Sequence, residues 1–113
     1  VRTYLLKKHK MSKEHIKEIV IYRIKPQRSK DFMEKGLPEL RQIAKGFTGM
    51  VSHTTHQCVG QPELFIDVVE WESLHYAEEA AKQMDAKMKA GEAPNMIDTY
   101  EKTEFFNHFK IIH

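Results

Sequence analysis

Few residues of this 113-residue chain are of a type and spacing that do chemistry. Seven histidines raise the question of a metal site. His53 and His56 are three apart in a stretch read below as a strand, and a strand sends residues so spaced to opposite faces. His75 falls on a predicted helix with no second ligand three or four positions on, since Glu78 and Glu79 read as solvated acids. There is no H-x-H, C-x-x-C or H-E-x-x-H, so no metal is expected. The five glycines, at 36, 46, 49, 60 and 91, are scattered and spell neither phosphate-loop pattern, so no nucleotide or flavin cofactor is expected. No serine occupies a G-x-S-x-G elbow, and Cys58 reads as a small strand residue rather than a nucleophile. What remains is proton chemistry in an apolar setting. His53, His56 and Tyr76 are the candidate proton-transfer groups, because histidine titrates near neutrality and tyrosine donates a hydrogen bond. Trp71, Tyr22 and Asp67 are the candidate substrate-binding residues. Each has a second reading. Trp71, the single tryptophan, suits a core or interface anchor as well as a pocket wall. His53, Thr55, Gln57 and Asp67 are either sheet-edge residues or the convergent polar groups that orient a small ligand.

The elements that position these residues follow from periodicity. Ile16 to Lys25 is rich in β-branched residues and stops before Pro26, a first strand. Met33, Leu37, Leu40 and Ala44 recur as one stripe of an amphipathic helix that begins near Ser29 and stops at Gly46. Pro38 removes a backbone donor inside that stripe, so a kink or break is expected there. Thr48 to Val59 reads as a second strand, Gly60-Gln61-Pro62-Glu63 as a turn, and Leu64 to Trp71 as a third strand paired with the second. Ser73 offers an N-cap for a second helix carrying Leu74, Ala77, Ala81, Met84 and Met88 on one stripe. Gly91 and Pro94 end it, and Tyr100 to Ile112 forms the last strand. The order β-α-β-β-α-β is that of an α+β, ferredoxin-like domain: a four-stranded antiparallel sheet with two helices.

Alternation along the strands gives a further inference. Ile19 and Ile21 oppose Val20, Tyr22 and Ile24; Leu64, Ile66 and Val68 oppose Phe65, Val69 and Trp71; Phe105, Phe109 and Ile111 oppose Phe106 and Ile112. Both sheet faces are apolar, yet two helices cover one. The uncovered face predicts a homodimer packed sheet to sheet about a two-fold axis.

Composition bounds the rest. Hydrophobic residues make up 41% and charged residues 30%, the balance of one folded domain. The longest aliphatic and aromatic run, Ile19-Val20-Ile21-Tyr22, falls far short of the ~20 residues of a membrane helix, so no membrane partner is expected. One cysteine excludes an internal disulfide and fits a reducing, cytoplasmic compartment. The net charge of +2 owes four positive charges to Arg2, Lys7, Lys8 and Lys10; the other 14 basic residues face 16 acidic ones. A nucleic-acid partner is therefore not expected. Val1 suits a valine-coded start ahead of Met11-Ser12, and residues 1–13 read as an N-terminal extension to a domain spanning 14–113.

The stretch V-V-E-W-E-S-L-H-Y-A-E-E-A, with the preceding G-Q-P-E-L-F-I-D hairpin, resembles the antibiotic biosynthesis monooxygenase family, and the likeness in element order runs from Glu18 to Ile112. The resemblance implies a dimeric α+β barrel and, for many members, oxidation of quinols or polyketide phenols by dioxygen without metal or flavin. Trp71 matches the family's tryptophan at the end of the third strand. The haem-degrading branch implies a histidine about ten residues further on and an asparagine in the first strand. Here those places hold Ala80-Ala81 and Ile19 to Arg23, so haem degradation is not expected. Two functions follow: a homodimeric, cofactor-independent oxygenase for a small electron-rich aromatic, with His53 or His56 taking the hydroxyl proton beside Trp71, or a non-catalytic dimeric barrel that binds a small apolar ligand or serves as an assembly module.

Overall fold

A computed structural model describes residues 14–112, so the extension expected at 1–13 lies outside the described residues. The sheet comprises β1 (Ile16–Ile24), β2 (Met50–Gln57), β3 (Leu64–Trp71) and β4 (Tyr100–Lys110), all antiparallel in the order β2-β3-β1-β4. The two strands richest in β-branched and aromatic residues, β1 and β3, occupy the centre, where both faces are covered by neighbours or by apolar contacts. This is the ferredoxin-like arrangement expected from the element order. Three helices pack on one face: α1 (residues 29–44), α2 (Leu74–Lys89) and a short α3 (Pro94–Thr99).

Helix α1 departs from expectation in an informative way. It runs through Pro38 without breaking, because a π-helical turn, Phe32–Gly36, precedes the α-helical part Leu37–Ala44. The Leu37 N–H donates to the Phe32 carbonyl, five residues back, and the proline sits in the first turn of the segment that follows. The wider turn also changes the buried stripe. Phe32, not Met33, points inward: Phe32 is 0% exposed and Met33 is 40% exposed.

Helix α3 is absent from the sequence-based reading. Pro94 opens it, and the Glu39 carboxylate of α1 caps it from outside, accepting from the Met96 N–H at 2.9 Å and from Asn95 Nδ2 at 2.7 Å. Six residues carry too little periodicity to announce a helix, and the cap comes from another element. Helix α2 begins as expected, with Ser73 Oγ accepting from the Tyr76 N–H.

The helix-facing core has two parts. Ile16, Val69 and Trp71 pack with Ala77 and Ala80 of α2; Tyr22, Ile24 and Phe65 pack with Phe32 of α1. The opposite face carries Ile19, Ile21, Leu64, Ile66 and Val68, none fully buried, and leaves Phe105 and Phe109 39% and 46% exposed. Among the described residues no helix is long and apolar enough to cross a membrane.

Gly49 and Gly91 test the turns. Both have positive φ, 86° and 73°, but a Cβ at Gly49 would overlap the Tyr76 ring, whereas one at Gly91 meets nothing within 4 Å. Gly49→Ala is expected to cost about 2–4 kcal/mol in urea denaturation, and Gly91→Ala about 1–2 kcal/mol.

Candidate functional site

Between the two core parts lies a cavity of about 580 Å³. Its floor is the sheet and its roof is α2, whose inward residues are small or flexible: Ala80, Ala81, Met84 and Met88. Alanines give the roof little bulk, so space remains above the middle of the sheet. Leu40, Ala44, Phe47 and Met96 close further sides.

The centre of the floor is a buried acid. Asp67 alternates inward between Phe65 and Val69 and is 5% exposed. Its two oxygens have separate donors: the Tyr22 hydroxyl of β1 donates to Oδ1 at 2.8 Å, and His53 Nε2 of β2 lies 2.9 Å from Oδ2. The His53 and Asp67 side chains are only 9% and 8% exposed. A carboxylate only accepts, so Nε2 carries the proton, and Nδ1 is the basic nitrogen whenever the imidazole is neutral. No described residue engages Nδ1. In its neutral form the ring can accept a proton at Nδ1, in an orientation that Asp67 fixes.

Tyr22 is locked in turn by its neighbours. It stacks on Phe65 and Tyr100 and meets Phe32 edge-on. Burial, then the charge of Asp67 and the hydrogen bond to it, hold its hydroxyl pKa far above the ordinary tyrosine value, and Arg41 opposes this slightly. Burial likewise raises Tyr100, whose hydroxyl is hydrogen-bonded to Thr103. Arg41 of α1 lies across β2, donating to the Thr55 hydroxyl at 3.0 Å and the His53 carbonyl at 3.4 Å. It brings a positive charge to the side of the sheet where Asp67 is buried.

Trp71 lines the cavity at its α2 end, 3% exposed, and its indole N–H has no hydrogen-bond partner among the described residues. A buried donor left unpaired costs roughly 1–3 kcal/mol.

Four of the six residues singled out in the sequence, Tyr22, His53, Asp67 and Trp71, thus stand on one cavity wall. The other two do not join them. His56 faces the opposite side of the sheet, three residues from His53, with its Nε2 3.0 Å from the Thr54 hydroxyl. Tyr76 packs beside Ile16 and Trp71 over Gly49, behind the cavity wall. Glu18 and Arg41 were missed by sequence reasoning. Glu18 had a readable signal, an acid at an inward position of the Ile16-Val20-Tyr22-Ile24 alternation; Arg41 had none, since an arginine on a helix reads as solvated. Among the described residues no three His, Cys, Asp or Glu side chains converge as metal ligands do.

No protein-family model matches the sequence, and no curated protein sequence matches it. Solved structures do. A proposed antibiotic biosynthesis monooxygenase from Bordetella bronchiseptica superposes with a TM-score of 0.72 at 18% identity, covering 88% of this chain and 99% of its own. SnoaB, a cofactor-independent oxygenase from Streptomyces nogalater, gives 0.68 at 12% identity over 88% of this chain and 95% of its own. A proposed antibiotic biosynthesis monooxygenase from Chloroflexus aurantiacus gives 0.65 at 13% identity, over 88% and 94%. The fold is that of the antibiotic biosynthesis monooxygenases, as the hairpin and W-x-S step suggested. At these identities the likeness is one of fold.

The raised Tyr22 pKa makes a signed prediction. The unfolded chain ionises its tyrosines near pH 10, while folded Tyr22 keeps its proton. Its contribution to stability is therefore full below about pH 10 and is lost as pH rises toward the folded value. Tyr22→Phe is expected to cost about 1–3 kcal/mol at neutral pH, because Asp67 loses a donor. In urea titrations the gap between wild type and variant should narrow above about pH 10, by up to ~1.4 kcal/mol per pH unit. A gap independent of pH would contradict the assignment.

Proposed function

We propose that this protein is a cofactor-independent monooxygenase that uses dioxygen to oxidise a small electron-rich hydroxyaromatic. The observation that carries the reading is the His53–Asp67 pair, which leaves Nδ1, on a histidine that lines a largely apolar cavity, without a partner among the described residues. Removing a hydroxyl proton is the step such a substrate needs. The aryloxide is electron-rich enough to reduce dioxygen, and the substrate supplies all four electrons. One oxygen atom joins a ring carbon in place of its single hydrogen, the hydroxyl hydrogen is lost as well to give a quinone, and the other oxygen leaves as water carrying those two hydrogens. The proton taken by His53 is returned to that water. The cavity's part is to hold the anion and dioxygen together, away from bulk water. Trp71, Val69 and Phe106 supply apolar wall, and Tyr22 and Asp67 keep His53 in the productive tautomer.

The working form is a homodimer joined through the open sheet face. Ile19, Ile21, Ile66, Val68, Phe105 and Phe109 make one apolar surface there, with the Phe105 and Phe109 rings stacked at 6.1 Å. A second copy of this chain covers it by two-fold symmetry, and no other described element does.

Two measurements check this. Metal-stripped protein is expected to raise dioxygen uptake above the spontaneous rate with members of a hydroquinone and polyhydroxyaromatic panel. His53→Ala should lower that uptake by roughly 10²-fold or more, as loss of a general base does, and Trp71→Phe should lower it less. No uptake across the panel, with ligands still bound, would instead favour a non-catalytic barrel. For the dimer, light scattering is expected to give twice the chain mass, and Phe109→Glu should shift it toward monomer. A wild-type monomer at all concentrations would contradict the interface.

A further inference from the structure

The helix-facing side of the sheet buries two acids, and the reaction above uses only Asp67. The other is Glu18 of β1, 8% exposed and on the cavity wall. His108 of β4 stands beside it, with Nε2 2.9 Å from Glu18 Oε1. Register places His108, Glu18, Val69 and His53 in a single row across the four strands. Each outer strand thus contributes a histidine that reaches a carboxylate on an inner strand.

The two pairs differ in what they leave open. Each oxygen of Asp67 already has a protein donor. Glu18 Oε1 is taken by His108, while Oε2 makes no hydrogen bond to a described residue. A carboxylate oxygen left free on a cavity wall is a strong acceptor for an O–H donor. On the other side of the same floor, His53 offers Nδ1. The strands bearing Glu18 and His53 are two apart, roughly 9–10 Å between backbones. A ring bridging two hydrogen bonds fills that gap, lying over Val69 and Val20.

We propose that Glu18 is a second hydroxyl acceptor, a specificity residue that favours a diol, with one hydroxyl received by His53 and the other by Glu18, over its monohydroxy counterpart. This rests on reading the cavity as a hydroxyaromatic site, and binding alone tests it, without turnover. The probes are 1,4-dihydroxynaphthalene and its monomethyl ether, titrated calorimetrically without dioxygen. Wild-type protein is expected to bind the diol roughly tenfold or more tightly than the ether, the worth of a hydrogen bond to a charged group. In Glu18→Gln the amide oxygen still serves His108, but an NH₂ faces the cavity where an acceptor stood. That variant, and Glu18→Leu, should lose the preference, and a thermal unfolding transition measured alongside shows that they fold. Equal binding of diol and ether by wild type, or a preference that survives in both variants, would overturn the role of Glu18 and leave the hydroxyaromatic site standing. Binding of neither ligand by wild type would overturn both.

Discussion

A charge buried at the centre of the sheet is the constraint on which the site depends. Asp67 stands on an inner strand between two apolar clusters, where an unpaired carboxylate would cost several kcal/mol. It is held there because each oxygen receives a donor from a different neighbouring strand, Tyr22 from β1 and His53 from β2. The same two hydrogen bonds that make the charge tolerable fix the His53 tautomer and keep Tyr22 protonated. Stability and site geometry therefore share one set of contacts. Losing Asp67 leaves both donors unmet, and losing either donor leaves one Asp67 oxygen unmet, in a low-dielectric setting.

The cavity arises from packing that is incomplete by design of the sequence. Helix α2 presents alanines and methionines to the sheet, so it covers β1 and β3 at its start and leaves space further along. Helix α1 fills the other end with Phe32, brought inward by the π turn. Edge strand β4 receives little helical cover, and Phe106 remains 46% exposed beside the cavity. The polar groups converge only on the floor, where the sheet holds neighbouring strands at fixed register. Rigid strands rather than loops thus set the positions of His53, Asp67 and Glu18.

Much of this was legible in the sequence, for reasons of period. Strand alternation placed Tyr22, Val69 and Trp71 on one face and Ile19, Ile66 and Val68 on the other, and the spacing of His53 and His56 assigned them to opposite faces. The β3 bounds, the Ser73 cap and the order of elements followed from local signals. Helix α1 was misphased because periodicity assumes 3.6 residues per turn, and one π turn advances the buried stripe by a residue. Helix α3 escaped because its cap, Glu39, lies more than fifty residues upstream. The candidate site was half legible: a histidine and an acid on apolar strands were visible, but their pairing depends on register, which no single strand encodes. Tyr76 illustrates the limit, since a polar tip on a helix start says nothing about whether its ring faces a cavity or a glycine turn.

The central claim, that Asp67 holds His53 with Nδ1 unprotonated and available, is open to direct measurement. Long-range proton–nitrogen NMR correlation of the histidine rings, recorded with the pH raised until the ring signals are those of neutral imidazole, reports the tautomer. The account predicts His53 with the proton on Nε2 and a bare Nδ1, and a loss of that preference in Asp67→Asn. A His53 protonated on Nδ1 in the wild-type protein would contradict it.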